Sequence, residues 1–327
     1  MVSGIVSHDT EKRMVLIAGR AHPELAQAVA DELHCDLVPT SAYDFANGEI
    51  YVRFGESVRG ASAFVLQSHT SPVNQWLMEH LIMCDAAKRA SAKSTTVVAP
   101  FYAYARQDKK HRGREPISAR LMADLFTTAG ADRLMAVDLH TSQIQGFFNG
   151  PVDHLWALPV LANYVRTRVD RSKLTIVSPD AGRVRLSDHW SDRLGAPLAI
   201  IHKRRDPTMA NQVKVHELVG EVEGRTCVIV DDMIDTASTI VQAAQALKDN
   251  GAAQVLVAST HAVMSGPAVE RLQKSCISEV VVTDTLPLDE DQRFEKLTVL
   301  SIAPLIARAI REVFDDGSVT SLFDGNA

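Results

Sequence analysis

Residues 228–239 read VIVDDMIDTAST: a buried apolar run ends in Asp231 and Asp232, and Asp235-Thr236-Ala237-Ser238-Thr239 follow. A helical pattern carrying Ile240, Ala244 and Leu247 on one side comes next. Small residues and hydroxyls at a helix start expose backbone N–H groups to an anion, and the helix dipole adds to the attraction. The hydroxyls of Thr236, Ser238 and Thr239 can donate to phosphate oxygens. Asp231 and Asp232 face a phosphate poorly but suit vicinal sugar hydroxyls or a divalent metal. A capped helix after an acidic turn accounts for one Asp or Thr, not for the whole set. The segment therefore reads as a cradle for a sugar and its 5′-phosphate.

Five other groups offer complementary chemistry. FANGE (45–49), with Phe45, Asn47 and Glu49, reads by itself as a β-turn entering a strand, and it also offers a ring face, an amide and a carboxylate acceptor. The aromatic and basic stretch 100–120 holds Arg106, Gln107 and Asp108, with a guanidinium fork suited to phosphate. By composition alone that stretch is also an ordinary solvated basic loop. VDLH ends in Asp138 and His140, and SPDAGR supplies Asp180, Ala181, Gly182 and Arg183. HKRRDPTMANQVKV (202–215) brings Lys203 and Arg205 into a polar stretch without periodicity, the profile of a loop that can close over an anion.

These groups must be positioned by regular elements, and the sequence predicts an alternation of strands and helices. Strands are expected at 14–19, 63–68, 94–101 and 133–140, with helices over 23–33, 74–91 and 117–129. The second half repeats the scheme with strands at 174–180, 198–204, 227–232, 254–260 and 279–285. Strands that are continuous apolar runs are buried on both faces, as in a parallel sheet between helices. A last helix begins near Pro304 and carries Ile306, Ile310 and Val313 on one stripe, with Gly317 placed to stop it. The expectation is an α/β chain of two similar domains, each a mostly parallel sheet flanked by helices: a loose tail over 1–13, a first domain over 14–155 and a second over 156–327. Ligands on open α/β sheets bind beyond the carboxyl ends of strands, where DLH, SPD, HKRR and VDD all fall.

The chain resembles the ribose-phosphate diphosphokinases (phosphoribosyl-pyrophosphate synthetases) of class I, built on the type I phosphoribosyltransferase fold. The likeness runs from about residue 14 to the end and rests on five motifs in family order. It implies transfer of the β,γ-diphosphoryl group of ATP to O1 of ribose 5-phosphate, giving 5-phosphoribosyl 1-diphosphate and AMP, with Mg²⁺ as the metal. It also implies residue roles. Phe45, Asn47, Glu49, Arg106, Gln107 and Asp108 would bind ATP. Asp231, Asp232, Asp235, Thr236, Ala237, Ser238, Thr239 and Arg205 would bind ribose 5-phosphate. Asp180, Ala181, Gly182 and Arg183 would form the pyrophosphate loop, and His140 and Asp180 would associate with the metal. Lys203 and Arg205 would be catalytic. Three positions depart from the family pattern: Asn47 and Asn149 stand where an aspartate is usual, and Arg183 replaces the second glycine of the pyrophosphate loop. By the same resemblance the chain is expected to form a homohexamer, with phosphate and ADP as regulators bound near Ser57, Arg59, Ser318, Val319 and Thr320. Leu322 and Phe323 are expected to dock the C-terminal end.

Composition narrows the alternatives. With 34 basic and 40 acidic residues the formal charge is −6, against a surface built for nucleic acid. No run approaches the roughly 18 apolar residues of a membrane span, and MVSGIVSHDTEKR lacks the apolar centre of a secretory signal. A cytoplasmic enzyme is expected, and Cys35, Cys84, Cys227 and Cys276 contain no CxxC pair. A non-catalytic regulatory relative would be expected to interrupt the HKRR loop, which is uninterrupted here. A plain phosphoribosyltransferase needs only one such domain and no ATP segment.

Overall fold

The computed structural model describes residues 12–204 and 215–323, with side chains left aside at 203, 204, 215 and 216. The first half runs β1 (Met14–Ala18), α1 (Pro23–Leu33), β2 (Thr40–Asp44), β3 (Ile50–Phe54), β4 (Ser62–Leu66), α2 (Val73–Arg89), β5 (Ser94–Ala99), α3 (Ser118–Ala129), β6 (Arg133–Val137) and β7 (Val152–Leu155). The second half runs α4 (Leu158–Arg168), β8 (Leu174–Ser178), α5 (Val184–Leu194), β9 (Leu198–Arg204), β10 (Val215–Val219), β11 (Thr226–Ile234), α6 (Ser238–Asp249), β12 (Gln254–Ala262), α7 (Ala268–Lys274), β13 (Glu279–Thr283), β14 (Leu297–Leu300) and α8 (Ala303–Phe314).

The first sheet has the order β1-β4-β5-β6-β7, parallel throughout. The second has the order β10-β9-β8-β11-β12-β13-β14, parallel except for the antiparallel edge pair β10–β9. Central strands such as β8 and β4 are buried almost along their length, which is why they read as apolar runs without alternation. The second sheet reverses its strand order between β8 and β11, and such a switch point opens a crevice at the carboxyl ends.

One apolar cluster joins the two sheets. Leu16, Met135 and Val137 of the first share it with Ile176, Val230 and Val281 of the second, bridged by α1, α4 and α8. Phe323 is buried in the same cluster and Leu322 packs against it, so the C-terminal end docks as expected. Helix α8 stops slightly earlier than Gly317 suggests. Asp316 takes the left-handed turn (φ 57°), and the Gly317 N–H closes onto the Glu312 carbonyl at 2.7 Å.

The antiparallel β2–β3 hairpin and the edge strands β7, β10 and β14 are not in the sequence-based scheme. Apart from β10, whose burial pattern is not described throughout, these are half-exposed segments without the continuous apolar signal of the central strands. Residues 1–11 of the expected tail lie outside the described residues. Lys12 donates to the Phe314 carbonyl at 3.2 Å and pairs with Asp316. Among the described residues no helix is long and apolar enough to cross a membrane.

Candidate active site

Strand β11 delivers Asp231 and Asp232 to the switch point, and the chain turns through Asp235 and Thr236 into α6. Ala237 makes the turn with left-handed backbone (φ 58°) and is buried. The first amides of a helix have no carbonyl partner within it, so the start of α6 aims N–H groups at the opening. Asp231, Asp232, Asp235, Thr236, Ala237, Ser238 and Thr239 all line one cleft, with Arg106, His140 and Arg183 opposite. The predicted cradle is thus brought together in full, except for Arg205, which lies outside the described residues. Lys203 sits near the end of β9, paired in register with His216 of β10, and only its backbone is described.

The acidic pair is held in a polar cluster. His140 Nδ1 lies 2.7 Å from Asp232 Oδ2. Arg183 places Nε 2.8 Å from Asp231 Oδ1 and Nη2 2.7 Å from Asp232 Oδ1. Burial raises the Asp231 carboxyl well above its ordinary range, and the neighbouring charge of Asp232 adds to the rise. Burial pushes Asp232 the same way, but the His140 hydrogen bond and the Arg183 charge outweigh it and hold Asp232 near 2. The two residues share one cationic partner and differ because His140 serves only Asp232.

His140 and Asp180 each have a protein partner. Asp180 Oδ1 accepts the Gly182 N–H at 2.8 Å, capping the short turn Ala181–Arg183, while His140 is engaged by Asp232. Among the described residues no cluster of three or more His, Cys, Asp or Glu side chains is arranged to hold a metal. Mg²⁺ takes one or two carboxylates with water and substrate oxygens completing its shell, so Asp180 suits it directly and His140 through a water.

Arg183 itself departs from an expectation. Its backbone (φ −102°, ψ 2°) needs no glycine, so replacing the second glycine of the loop introduces no strain.

Beside the cradle lies a second opening of about 700 Å³, lined by Phe101, Tyr104, Arg106, Gln107 and Met233 among others. That volume is within the range of small-molecule pockets. Arg106 Nη1 donates to Asp235 Oδ2 at 2.6 Å, joining the two openings. Partial burial works to raise the Asp235 carboxyl, but hydrogen bonds with Ser265 and Arg106 bring it below its ordinary value. Gln107 lines the opening while its Oε1 accepts from Ser118 Oγ at 2.6 Å.

Asp108 does not face that opening. It is 4% exposed, and its Oδ2 accepts from Thr141 Oγ1 at 2.8 Å and Gln143 Nε2 at 2.5 Å. The residue ties the loop after α2 and β5 to the loop after His140, a structural task instead of the expected ATP contact. Phe45, Asn47 and Glu49 are likewise outside the linings of both openings. They occupy the tip of the β2–β3 hairpin, where Asn47 Oδ1 accepts the Glu49 N–H at 3.2 Å and Phe45 packs edge-on against Tyr43. Tyr43 and Phe45 are each 47% exposed.

Asp138, noted in the sequence without a role, and His261, absent from the sequence-based set, fix the cleft. Asp138, with left-handed backbone (φ 37°), accepts from Thr260 Oγ1 at 2.5 Å and from the Ala157 N–H at 3.1 Å. His261 bonds Thr285 Oγ1 at 2.9 Å and the Val137 carbonyl at 3.1 Å, so β6 of the first sheet is clasped to β12 of the second. Their signal was position: both sit at strand carboxyl ends. Ser57 Oγ accepts the Arg59 N–H at 3.4 Å, and Ser318 Oγ lies 2.8 Å from Thr320 Oγ1, beside Val319 in a short turn packed on the core.

Known proteins match this chain over nearly its whole length. A family model for the N-terminal domain of ribose phosphate pyrophosphokinase matches residues 14–130, and one for a phosphoribosyl synthetase-associated domain matches residues 201–324. The ribose-phosphate pyrophosphokinase of Streptomyces coelicolor is 69% identical, covering 96% of this chain and 97% of that one. The protein of the same name from Mycobacterium tuberculosis is 60% identical, over 98% of each chain. A crystal structure of phosphoribosylpyrophosphate synthetase from Mycobacterium smegmatis is 58% identical, covers 94% of this chain and 100% of that one, and superposes with a TM-score of 0.89.

Proposed function

The chain belongs to the ribose-phosphate pyrophosphokinase family, and from that premise we propose that it makes 5-phosphoribosyl 1-diphosphate and AMP from ribose 5-phosphate and ATP. The observation that carries the reading is the junction of two openings at Arg106 and Asp235: an anion cradle at the start of α6, and a nucleotide-sized cleft beside it. In-line transfer of a diphosphoryl group needs positioning and charge neutralisation more than covalent catalysis. The α6 amides and the hydroxyls of Thr236, Ser238 and Thr239 hold the 5′-phosphate, and Asp231 and Asp232 orient the ribose hydroxyls. Arg106 and Gln107 line the ATP side. Lys203 and Arg205 are the cations assigned to the transferred group and the leaving AMP. When bound, Mg²⁺ would supply charge neutralisation on the phosphate oxygens, with His140 and Asp180 as the residues assigned to it.

Phe45, Asn47 and Glu49 fit an adenine site only from a neighbouring chain or after a hairpin movement, and the exposed rings of Tyr43 and Phe45 support a homo-oligomer. Two units meeting between β7 and α4, and a cytoplasmic location, belong to the same proposal. Regulation by phosphate and ADP is assigned to the segments holding Ser57, Arg59, Ser318, Val319 and Thr320. A basic cleft of about 630 Å³ bordered by Gly60 and Asp316, with Lys12, Arg13, Lys93 and Arg133, supports anion binding between those segments. The deciding experiment incubates the protein with Mg²⁺, ATP and ribose 5-phosphate and identifies the nucleotide released. AMP is expected; ADP would make it a monophosphoryl kinase and overturn the proposal.

A further inference from the structure

Arg20, just after β1, joins a buried carboxylate to an exposed one. Glu79 of α2 is wholly buried, and each of its oxygens meets two donor nitrogens. Oε1 accepts from the Arg20 N–H at 2.8 Å and from Gln67 Nε2 at 2.9 Å. Oε2 accepts from Arg20 Nε at 2.7 Å, and Arg20 Nη2 lies 2.6 Å from it. A buried carboxylate satisfied in this way anchors the guanidinium from within, by hydrogen bonds as well as charge. The ring of Trp76 covers the same guanidinium, with 5.6 Å between Cζ and the ring centre.

The outer nitrogen of Arg20 reaches the β2–β3 hairpin. Nη2 donates to Asp44 Oδ1 at 2.6 Å, and Gln75 Nε2 of α2 donates to Asp44 Oδ2 at 2.9 Å. Asp44 ends β2, paired with Ile50 at the tip end of the ladder and adjacent to Phe45. The Phe45 N–H closes onto the Glu49 carbonyl at 2.7 Å, so a fixed Asp44 fixes the turn that carries Phe45, Asn47 and Glu49. The two strands pair with each other and join neither large sheet, and a lone hairpin is marginal in water. Backbone bonds hold its root: the Gly55 N–H donates to the Pro39 carbonyl at 2.6 Å, and the Val38 N–H to that of Leu16 at 2.9 Å. At the tip end the ties are the side chains of Arg20 and Gln75.

We propose that Arg20 is a positioning residue for ATP: acting through Asp44, it holds the hairpin tip so that Phe45, Asn47 and Glu49 meet the purine as a preset group. The inference rests on the assignment of those three residues to ATP. A tip ordered beforehand spares the nucleotide the cost of ordering it on binding. Loss of the tie therefore weakens ATP binding without touching the transfer step.

The test is steady-state kinetics of the full chain, varying ATP and ribose 5-phosphate in turn. Asp44 is partly exposed, so Asp44→Ala cuts the outer arm and leaves Glu79 with all its donors. Its KM for ATP should rise about fivefold, while kcat and the KM for ribose 5-phosphate stay within about twofold of wild type. Arg20→Lys keeps a charge beside Glu79, but one ammonium cannot span two carboxylates as the planar fork does, so its KM for ATP should rise as well. Asp44→Ala combined with Arg20→Lys should be no worse than the larger single change, because both cut one tie. Additive effects overturn the proposal, as do equal shifts of both KM values in Asp44→Ala. Phe45→Ala separates the two levels. If it raises the KM for ATP and Asp44→Ala does not, the positioning role alone fails. If neither does, the assignment of the hairpin to ATP fails and the proposal with it.

Discussion

The carboxyl ends of the two sheets are built from similar residues and use them differently. In the first half of the chain, Asp108, His69 and, on helix α2, His80 are buried, and with the half-buried Asp138 they are hydrogen-bonded to the protein itself. In the second, Asp231, Asp232 and Asp235 line an opening and are matched by cations more than by aligned donors. Topology accounts for the contrast. The second sheet reverses its order between β8 and β11, so the connections after those strands diverge and leave a crevice. The first sheet runs β1-β4-β5-β6-β7 without a reversal, and its loops still lend Arg106, Gln107 and His140 to the two openings. A polar strand ending is therefore a ligand site where it faces the crevice, and a clasp where it packs between the sheets.

The sharpest way to break this comparison is to show that chemistry resides elsewhere. Replacing Lys203, near the end of β9, or Arg205 by alanine should lower kcat by about 10²-fold or more while the far-ultraviolet dichroism stays native. Steady-state rates within threefold of wild type for both variants would remove the second sheet's claim to the catalytic cations.

Next in size is the division between the openings. Asp231→Asn with Asp232→Asn should raise KM for ribose 5-phosphate by about tenfold or more and that for ATP far less, equivalent to about 1.4 kcal/mol or more of selective binding. Asp108→Ala should do the reverse of a substrate-site change. Thr141 Oγ1 and Gln143 Nε2 lose the one oxygen that accepts from both, so unfolding free energy should fall by about 1–3 kcal/mol with both KM values little altered. Equal KM shifts in the double variant, or a KM effect at Asp108 without loss of stability, would mean that the two sheets do not divide the work in this way.

How much was legible in the sequence follows the same line. The cradle was readable because one contiguous segment, 231–239, carries it on a strand–turn–helix whose periodicity is plain. Central strands were readable because burial on both faces leaves an unbroken apolar run. The role of Asp108 was not, since its partners Thr141 and Gln143 come from another loop and only packing reveals them. Arg183 read as a cation beside a pyrophosphate, but spacing could not show that it reaches the two acids of β11, some fifty residues further along the chain. The hairpin carrying Phe45 was hidden by its half-exposed strands, and with it the fact that Phe45, Asn47 and Glu49 stand apart from the cleft.

The smallest expected effect tests the claim that polar groups behind the first sheet serve the fold. The Ala103 N–H donates to His69 Nδ1 at 3.1 Å, His69 Nε2 meets His80 Nδ1 at 3.1 Å, and His80 Nε2 reaches the Val65 carbonyl at 2.9 Å. Only neutral rings complete that chain: His80 donates to Val65 and accepts from His69, which in turn accepts from Ala103. The chain ties strand β4 to the segment that carries Arg106. Burial lowers His80 to about 4, against an ordinary 6.5, and burial with the neighbouring His80 lowers His69 further. The unfolded chain thus binds more protons than the folded one between these values, so stability is fully present above about 6.5 and is lost as pH falls toward 4. For His80 alone the loss between pH 7 and pH 5.5 is about 1 kcal/mol. The check is the slope of unfolding free energy against pH over that interval, by denaturant titration, for wild type and for His69→Asn with His80→Leu. Asparagine keeps an acceptor for Ala103 and neither replacement titrates, so the variant should lose less stability over the interval, by more than the His80 figure because His69 is removed as well, whatever its absolute stability. Identical slopes would show that the pair is not a buried neutral relay, and the first sheet's strand ends would then need to be reconsidered as solvent-linked groups like those of the second.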